Sequence, residues 1–136
     1  MRKVTLSIPF CPVAKGRPRM TRQGRAYTPA KTRLAENQIK AWLMGEKLAP
    51  FDGPLDVSVF AIMPMPKSWT PKKKQDALDG FLMPTSKPDL DNICKLVLDA
   101  ANKILWHDDA QIVRLDLAKA YGEKPGYIIS VEAYNP

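Results

Sequence analysis

The sequence predicts an α+β fold, a small mixed or antiparallel sheet with two main helices laid on it. Three observations point there. Four runs read as strands, at 3–10 and 55–63, where residues alternate with a period of two, and at 111–121 and 127–133. Two longer stretches, 28–47 and 91–105, repeat apolar residues every three to four positions. The 136 residues, 45% hydrophobic and 26% charged, suffice for one core without disulfide or metal staples, and they exclude wholesale disorder. Residues 1–136 read as a single domain, with no repeat, low-complexity tract or dividing linker.

The first strand sets Val4, Leu6 and Ile8 against Thr5 and Ser7 and stops at Pro9 and Pro12. Residues 14–25 hold Gly16, Pro18 and Gly24 among five cations and read as a loop. Thr28-Pro29 then opens a helix, with Thr as N-cap and Pro at the first helical position. Ala35, Ile39, Trp42 and Leu43 share one face of it, and Pro50 ends it. The second strand alternates Leu55, Val57, Val59 and Ala61 with Asp56, Ser58, Phe60 and Ile62 until Pro64 and Pro66. Thr70-Pro71 repeats the helix start, opening a short helix through Leu78 that bears Lys72, Lys73 and Lys74. After a loop over 80–88, the stripe Leu90, Ile93, Cys94, Val97, Ala101 and Ile104 predicts a third helix from about Asp91 to Leu105. The turn Gly122-Glu123-Lys124-Pro125-Gly126 predicts that the last two strands pair as an antiparallel hairpin.

Charge is unevenly spread. The sum is 21 Lys+Arg against 14 Asp+Glu, or +7, which suggests a polyanionic partner. Residues 1–40 hold ten Lys/Arg and one acid (+9), whereas 41–136 hold eleven Lys/Arg and thirteen acids (−2). This asymmetry fits a protein that grips phosphates with one part and acts on them with another, or an ordinary solvated surface. Two cysteines, Cys11 and Cys94, read as reduced thiols in the cytoplasm. No apolar run approaches the roughly 20 residues of a membrane span. Pro9, Pro12, Thr5 and Ser7 argue against a signal peptide at Met1–Phe10.

The chemistry concentrates at Lys87-Pro88-Asp89-Leu90-Asp91-Asn92, Lys95, and Trp106-His107-Asp108-Asp109-Ala110-Gln111. Asp89 and Asp91 fall on one side of an extended segment. Lys95 lies four residues after Asp91, on the same helical face. Close carboxylates repel unless a cation neutralises them, and Asp oxygens are hard ligands suited to Mg²⁺ or Mn²⁺. Alternatively, Asp89 or Asp91 only caps a helix and Lys95 is a surface ion pair. His107 could be a base or ligand. Cys94 is most simply a small core residue. Asp99, eight residues beyond Asp91, either orients Lys95 or is a solvated acid. Lys72, Lys73 and Lys74 form either a solvated face or a contact site, and Trp69 and Trp106 are better placed by buried packing than as wedges between bases.

These segments, with Leu98-Asp99-Ala100, Lys15-Gly16-Arg17-Pro18-Arg19 and Tyr27-Thr28-Pro29, resemble the RusA family of Holliday junction resolvases over most of the chain. The resemblance implies a Mg²⁺-dependent structure-selective endonuclease, of a kind often phage or prophage encoded, with Mn²⁺ as a substitute metal. It implies Asp89, Asp91 and Asp109 as essential metal-holding acids, Lys95 as the essential lysine and Asp108 as an auxiliary acid. It implies four-way junctions nicked in pairs by a metal-activated water attacking in line, leaving 5′-phosphate and 3′-hydroxyl ends. Lys15, Arg17, Arg19, Arg22 and Arg25 would clamp backbone phosphates, joined by Lys72–Lys74. The alternatives are a related nuclease acting on flaps, forks or single strands, and a non-catalytic basic DNA-binding protein. A third helix reaching Leu105 would span roughly 21 Å from Asp91, too far for residues 106–109 to return within one chain. That length predicts a homodimer with metal sites shared between subunits.

Overall fold

The computed structural model describes residues 2–13, 19–27 and 30–136. Its elements run β1 (Lys3–Ile8), β2 (Arg19–Met20), β3 (Ala26–Tyr27), α1 (Ala30–Gly45), β4 (Leu55–Pro64), α2 (Pro71–Leu78), α3 (Leu90–Ala101), β5 (Ile112–Gly122) and β6 (Gly126–Ala133). The main sheet has the order β1-β6-β4-β5 and is mixed: β4 pairs parallel with β5 and antiparallel with β6, and β6 pairs antiparallel with β1. The α+β architecture predicted from the sequence is the one observed.

β4 is the central strand, and its alternation explains why. Leu55, Val57, Val59, Ala61 and Met63 are all buried, while Asp56, Ser58, Phe60 and Ile62 on the other face stay partly or fully exposed. The buried face meets the apolar sides of α1 and α3. Ile39 and Leu43 of α1 and Ile93, Leu96, Val97 and Ala100 of α3 join Val57, Val59, Ile129 and Val131 in one hydrophobic cluster. Each fully buried Leu, Ile or Val contributes about 1.5–3 kcal/mol relative to exposure. Among the described residues no helix is long and apolar enough to cross a membrane.

The predicted hairpin between the last two strands does not form. β4 lies between β5 and β6 and pairs with both. Parallel β4 and β5 require a long crossover, which α2 and α3 supply. The turn at 123–125 therefore crosses the end of β4 rather than closing a ladder. Its flanking glycines are steric requirements. A Cβ at Gly122 would run into Ile62 Cγ2, and one at Gly126 would sit 2.6 Å from the carbonyl oxygen of Ile8.

α3 also ends earlier than predicted, at Ala101 rather than Leu105. Asn102 leaves helical geometry at φ −57°, ψ 132°, and Lys103 takes the left-handed conformation at φ 68°. The N–H groups of Ile104 and Leu105 both return to Ala101 O, at 3.0 and 2.9 Å, and the chain reverses. Residues 14–18 and the Thr28-Pro29 helix start lie outside the described residues. The remainder of the predicted basic loop contains the β2–β3 ribbon, turned at Gly24 with φ 80°.

Candidate active site

α3 starts as its sequence predicts. Asp89 occupies the N-cap in extended geometry (φ −69°, ψ 145°), yet its side chain makes no cap hydrogen bond. Asp91 and Lys95 follow on the exposed side of the helix, one turn apart, with half-buried Asp99 a turn further. The segment before Asp89 is tied to β5: Lys119 Nζ donates to Ser86 O at 3.0 Å and to Pro88 O at 3.1 Å.

The reversal after Ala101 brings the second acidic segment back toward α3. Buried Trp106 donates its indole Nε1–H to Asp109 Oδ1 at 2.6 Å, fixing that carboxylate. Asp108 accepts from the Ala110 N–H at 2.9 Å and forms a capping box with Gln111 on a short 3-10 turn, Asp109–Gln111. Gln111 Oε1 accepts from the N–H groups of His107 and Asp108 at 2.7 and 2.9 Å. Its Nε2 donates to Phe51 O and Gly53 O, both at 3.0 Å. Gln111 thus locks the loop to the segment just before β4.

The result is a cleft of about 300 Å³ lined by Asp91, Cys94, Lys95, Leu98 and Asp99 of α3, by Asp109, and by Leu115 and Leu117 of β5. The electrostatics show mutual proximity. Burial raises the Asp109 carboxyl above the usual Asp range; the Trp106 hydrogen bond opposes this, the charges of Asp99 and Asp108 add to it, and Lys95 opposes it. Cys94 is buried, as expected of a core residue, but its thiol is pushed up to about 11 by burial and then by the charges of Asp109 and Asp91. Carboxylates that line one cleft offer hard oxygen donors, which are chemically suited to a hard cation.

Asp91 and Asp109 line the same cleft within one chain, so the length argument for shared sites fails because α3 stops four residues early. Asp89 does not line the cleft, and among the described residues no three His, Cys, Asp or Glu side chains converge as a metal cluster. Asp108 is engaged in capping. His107 points its Nε2 to Asp52 Oδ1 at 2.8 Å.

Of the predicted DNA contacts, Lys15 and Arg17 lie outside the described residues, and Arg19 begins β2. Arg22 and Arg25 are exposed in the following turn, which is held by Thr21 N–H to Arg25 O at 2.8 Å. On α2, Lys72 pairs with Asp76 at 3.2 Å, Lys73 sits 4.5 Å over the Trp69 ring, and Lys74 is half-buried. Trp69 itself packs edge-on against Tyr121 of β5.

Sequence reasoning missed Trp106 as the holder of Asp109, Gln111 as the loop's clasp, and Lys119. The Asp108-x-x-Gln111 spacing is a capping-box signature and is the signal that marks Gln111. Nothing local marks Lys119, which acts across the sheet edge.

Comparison with known proteins decides the family. The model of the endodeoxyribonuclease RusA family matches residues 9–132. The chain belongs to the RusA family. It is similar to the Bacillus subtilis (strain 168) uncharacterized protein YqaN, 40% identical over 122 residues, 84% of each chain being covered. Membership makes this RusA-family protein an endodeoxyribonuclease, with Holliday junction endonuclease activity as the activity of its family. RusA-family nucleases generally depend on a divalent metal, and the carboxylates of Asp91, Asp99 and Asp109 lining one cleft are hard oxygen donors that suit such a cation.

Proposed function

We propose that this chain nicks four-way DNA junctions in pairs, using Mg²⁺ with Mn²⁺ as a substitute, and that Asp89, Asp91, Asp109 and Lys95 carry the reaction. The observation that supports this reading is the single cleft where Asp91, Lys95, Asp99 and Asp109 line one continuous surface between α3 and β5. Asp91 and Asp109 would hold the metal, with Asp89 reaching in from the start of the helix. Bound there, a divalent cation supplies the charge that polarises the scissile phosphate and lowers the pKa of the attacking water, which leaves 5′-phosphate and 3′-hydroxyl ends.

The chain's own groups do the rest. The Trp106 indole holds one oxygen of Asp109 in place. The Lys95 ammonium sits in the same cleft, where it stabilises charge growing on the phosphoryl oxygens or orients the water. Arg19, Arg22, Arg25, Lys72, Lys73 and Lys74, with Lys15 and Arg17, engage backbone phosphates and position the DNA. Asp108 serves as an auxiliary acid through the loop it caps.

We also read residues 1–136 as one domain, on the hydrophobic cluster shared by β1, β4, β6, α1 and α3. The two free thiols and the DNA substrate favour the cytoplasm. A homodimer suits a substrate that is near two-fold and needs two cuts, and the exposed Val113 on edge strand β5 is apolar surface available to it.

The test is nicking of a synthetic four-way junction with Mg²⁺, abolished by EDTA and by Asp91→Asn, with junction binding retained. Preference for forks, flaps or single strands would replace the substrate but keep the chemistry. Mixing Asp91→Asn and Asp109→Asn chains tests the dimer geometry. Sites built within one chain give no rescue, whereas recovered nicking would place the two acids in different subunits.

A further inference from the structure

Phe81 is the most exposed large apolar residue described, at 83%, and it stands beside Leu78 at 39% and Met83 at 46%. Its exposure follows from how α2 ends. Gly80 takes the left-handed conformation at φ 84°, Phe81 N–H donates to Asp76 O at 2.9 Å, and Gly80 N–H donates to Ala77 O at 3.2 Å. This is a Schellman ending, in which the residue after the glycine commonly packs on an apolar residue of the last turn. Here the facing positions are Gln75 and Asp76, so the ring has nothing apolar to cover it.

The tip is held rather than loose. On one side Trp69 packs against Tyr121 with ring centroids 5.0 Å apart; on the other Lys119 binds the carbonyls of Ser86 and Pro88. Both ends of the 69–88 segment are thereby pinned to β5, and its far end runs directly into Asp89. Residues 65–88 hold five Lys against two Asp, so the surroundings attract phosphate and repel a second copy of the same segment. Asp89 lies eight positions after Phe81, at most about 29 Å of chain, so a DNA molecule lying at the acidic cleft passes within reach of the tip.

We propose that Phe81, flanked by Leu78 and Met83, is an apolar wedge that stacks on an unpaired base at the branch point of the substrate. The inference rests on the endonuclease reading above and adds to it a source of branch selectivity. The lysines recognise phosphates that every duplex offers. An aromatic face needs a base whose own face is free, and an intact duplex must be unstacked to provide one. A branch point provides it already.

The experiment measures equilibrium binding in EDTA to a four-way junction and to linear duplex, each carrying 2-aminopurine, with the junction's fluorophore at the crossover. Phe81→Ala should weaken junction binding about 5- to 150-fold, the equivalent of about 1–3 kcal/mol per stacked base. It should leave duplex binding unchanged and abolish the fluorescence change at the crossover. Phe81→Trp should keep both, and Phe81→Leu should lose the fluorescence change although it remains apolar. Equal losses on junction and duplex, or no loss on either, would overturn the wedge. A Phe81→Ala chain that sediments as a smaller species than the parent would assign the tip to self-association instead. If the parent chain itself neither binds nor nicks branched DNA, the functional reading fails first, and that outcome is distinct because it appears before any substitution.

Discussion

Replacing Trp106 with Phe probes how the fold holds its acidic cleft. The indole is fully buried, and its Nε1–H lies 2.6 Å from Asp109 Oδ1. A phenyl ring fills most of that space but has no donor. A hydrogen bond to a charged group contributes about 1.5–3 kcal/mol, and solvent screening at the half-buried carboxylate keeps this one at about 1.5–2 kcal/mol. With an unfolding entropy of about 0.29 kcal/mol/K for a chain of this length, Tm should fall by about 5–7 °C, plus a smaller loss from the vacated volume. The sign with pH follows from which form the bond favours. Its acceptor is the ionised carboxylate, so its loss is felt fully above the Asp109 titration and disappears as pH falls through it, while the packing loss persists. Burial already holds the Asp109 carboxyl above its ordinary range, and losing the indole moves it further up. The acidic limb of the nicking profile should therefore shift to higher pH. Urea denaturation followed by circular dichroism, from about pH 7 downward, measures the first effect, and single-turnover nicking measures the second. A stability loss identical at every pH, together with an unmoved activity profile, would refute the idea that this indole tunes Asp109.

Lys95→Ala should slow single-turnover nicking about 100-fold while changing junction affinity little, because its partner charge grows in the transition state. Arg22→Ala combined with Arg25→Ala should flatten the plot of log affinity against log salt by about 0.9 for each phosphate no longer neutralised, read from binding titrations. Gly126→Ala should destabilise the fold by about 1–3 kcal/mol in urea, because the obstacle to its Cβ is the backbone carbonyl of Ile8. At neutral pH a thiol reagent should modify exposed Cys11 and spare buried Cys94, whose thiol is pushed up to about 11. Mass spectrometry should find one adduct in the native protein and two after denaturation.

Much of this protein is legible in one dimension because the governing physics is local. The alternation at 55–63 makes β4 a strand with one buried face, wherever its partners lie. Thr70-Pro71 starts α2 because the Thr70 hydroxyl accepts the Lys73 N–H, at 3.2 Å, and Pro71 sacrifices no hydrogen bond there. The Asp-x-Asp-Asn-x-x-Lys spacing puts Asp91 and Lys95 on one face of α3 by helical geometry alone. Tertiary structure alone decided three matters. The apolar stripe runs on through Ile104 and Leu105, so periodicity extends α3 too far; its end is imposed by Leu105 O accepting the Phe51 N–H and by the burial of Trp106. A Gly-rich turn between two strands reads as a hairpin, yet β4 holds the position between them because its two ladders and buried face outweigh a direct β5–β6 pairing. The division of labour in Asp108-Asp109 is invisible in sequence, since adjacent identical residues differ only in what the fold sets before them. The Ala110 N–H meets one and a buried indole the other. Local rules determine the elements, whereas the choice of neighbour depends on contacts between residues far apart in the chain, whose competition no single segment contains.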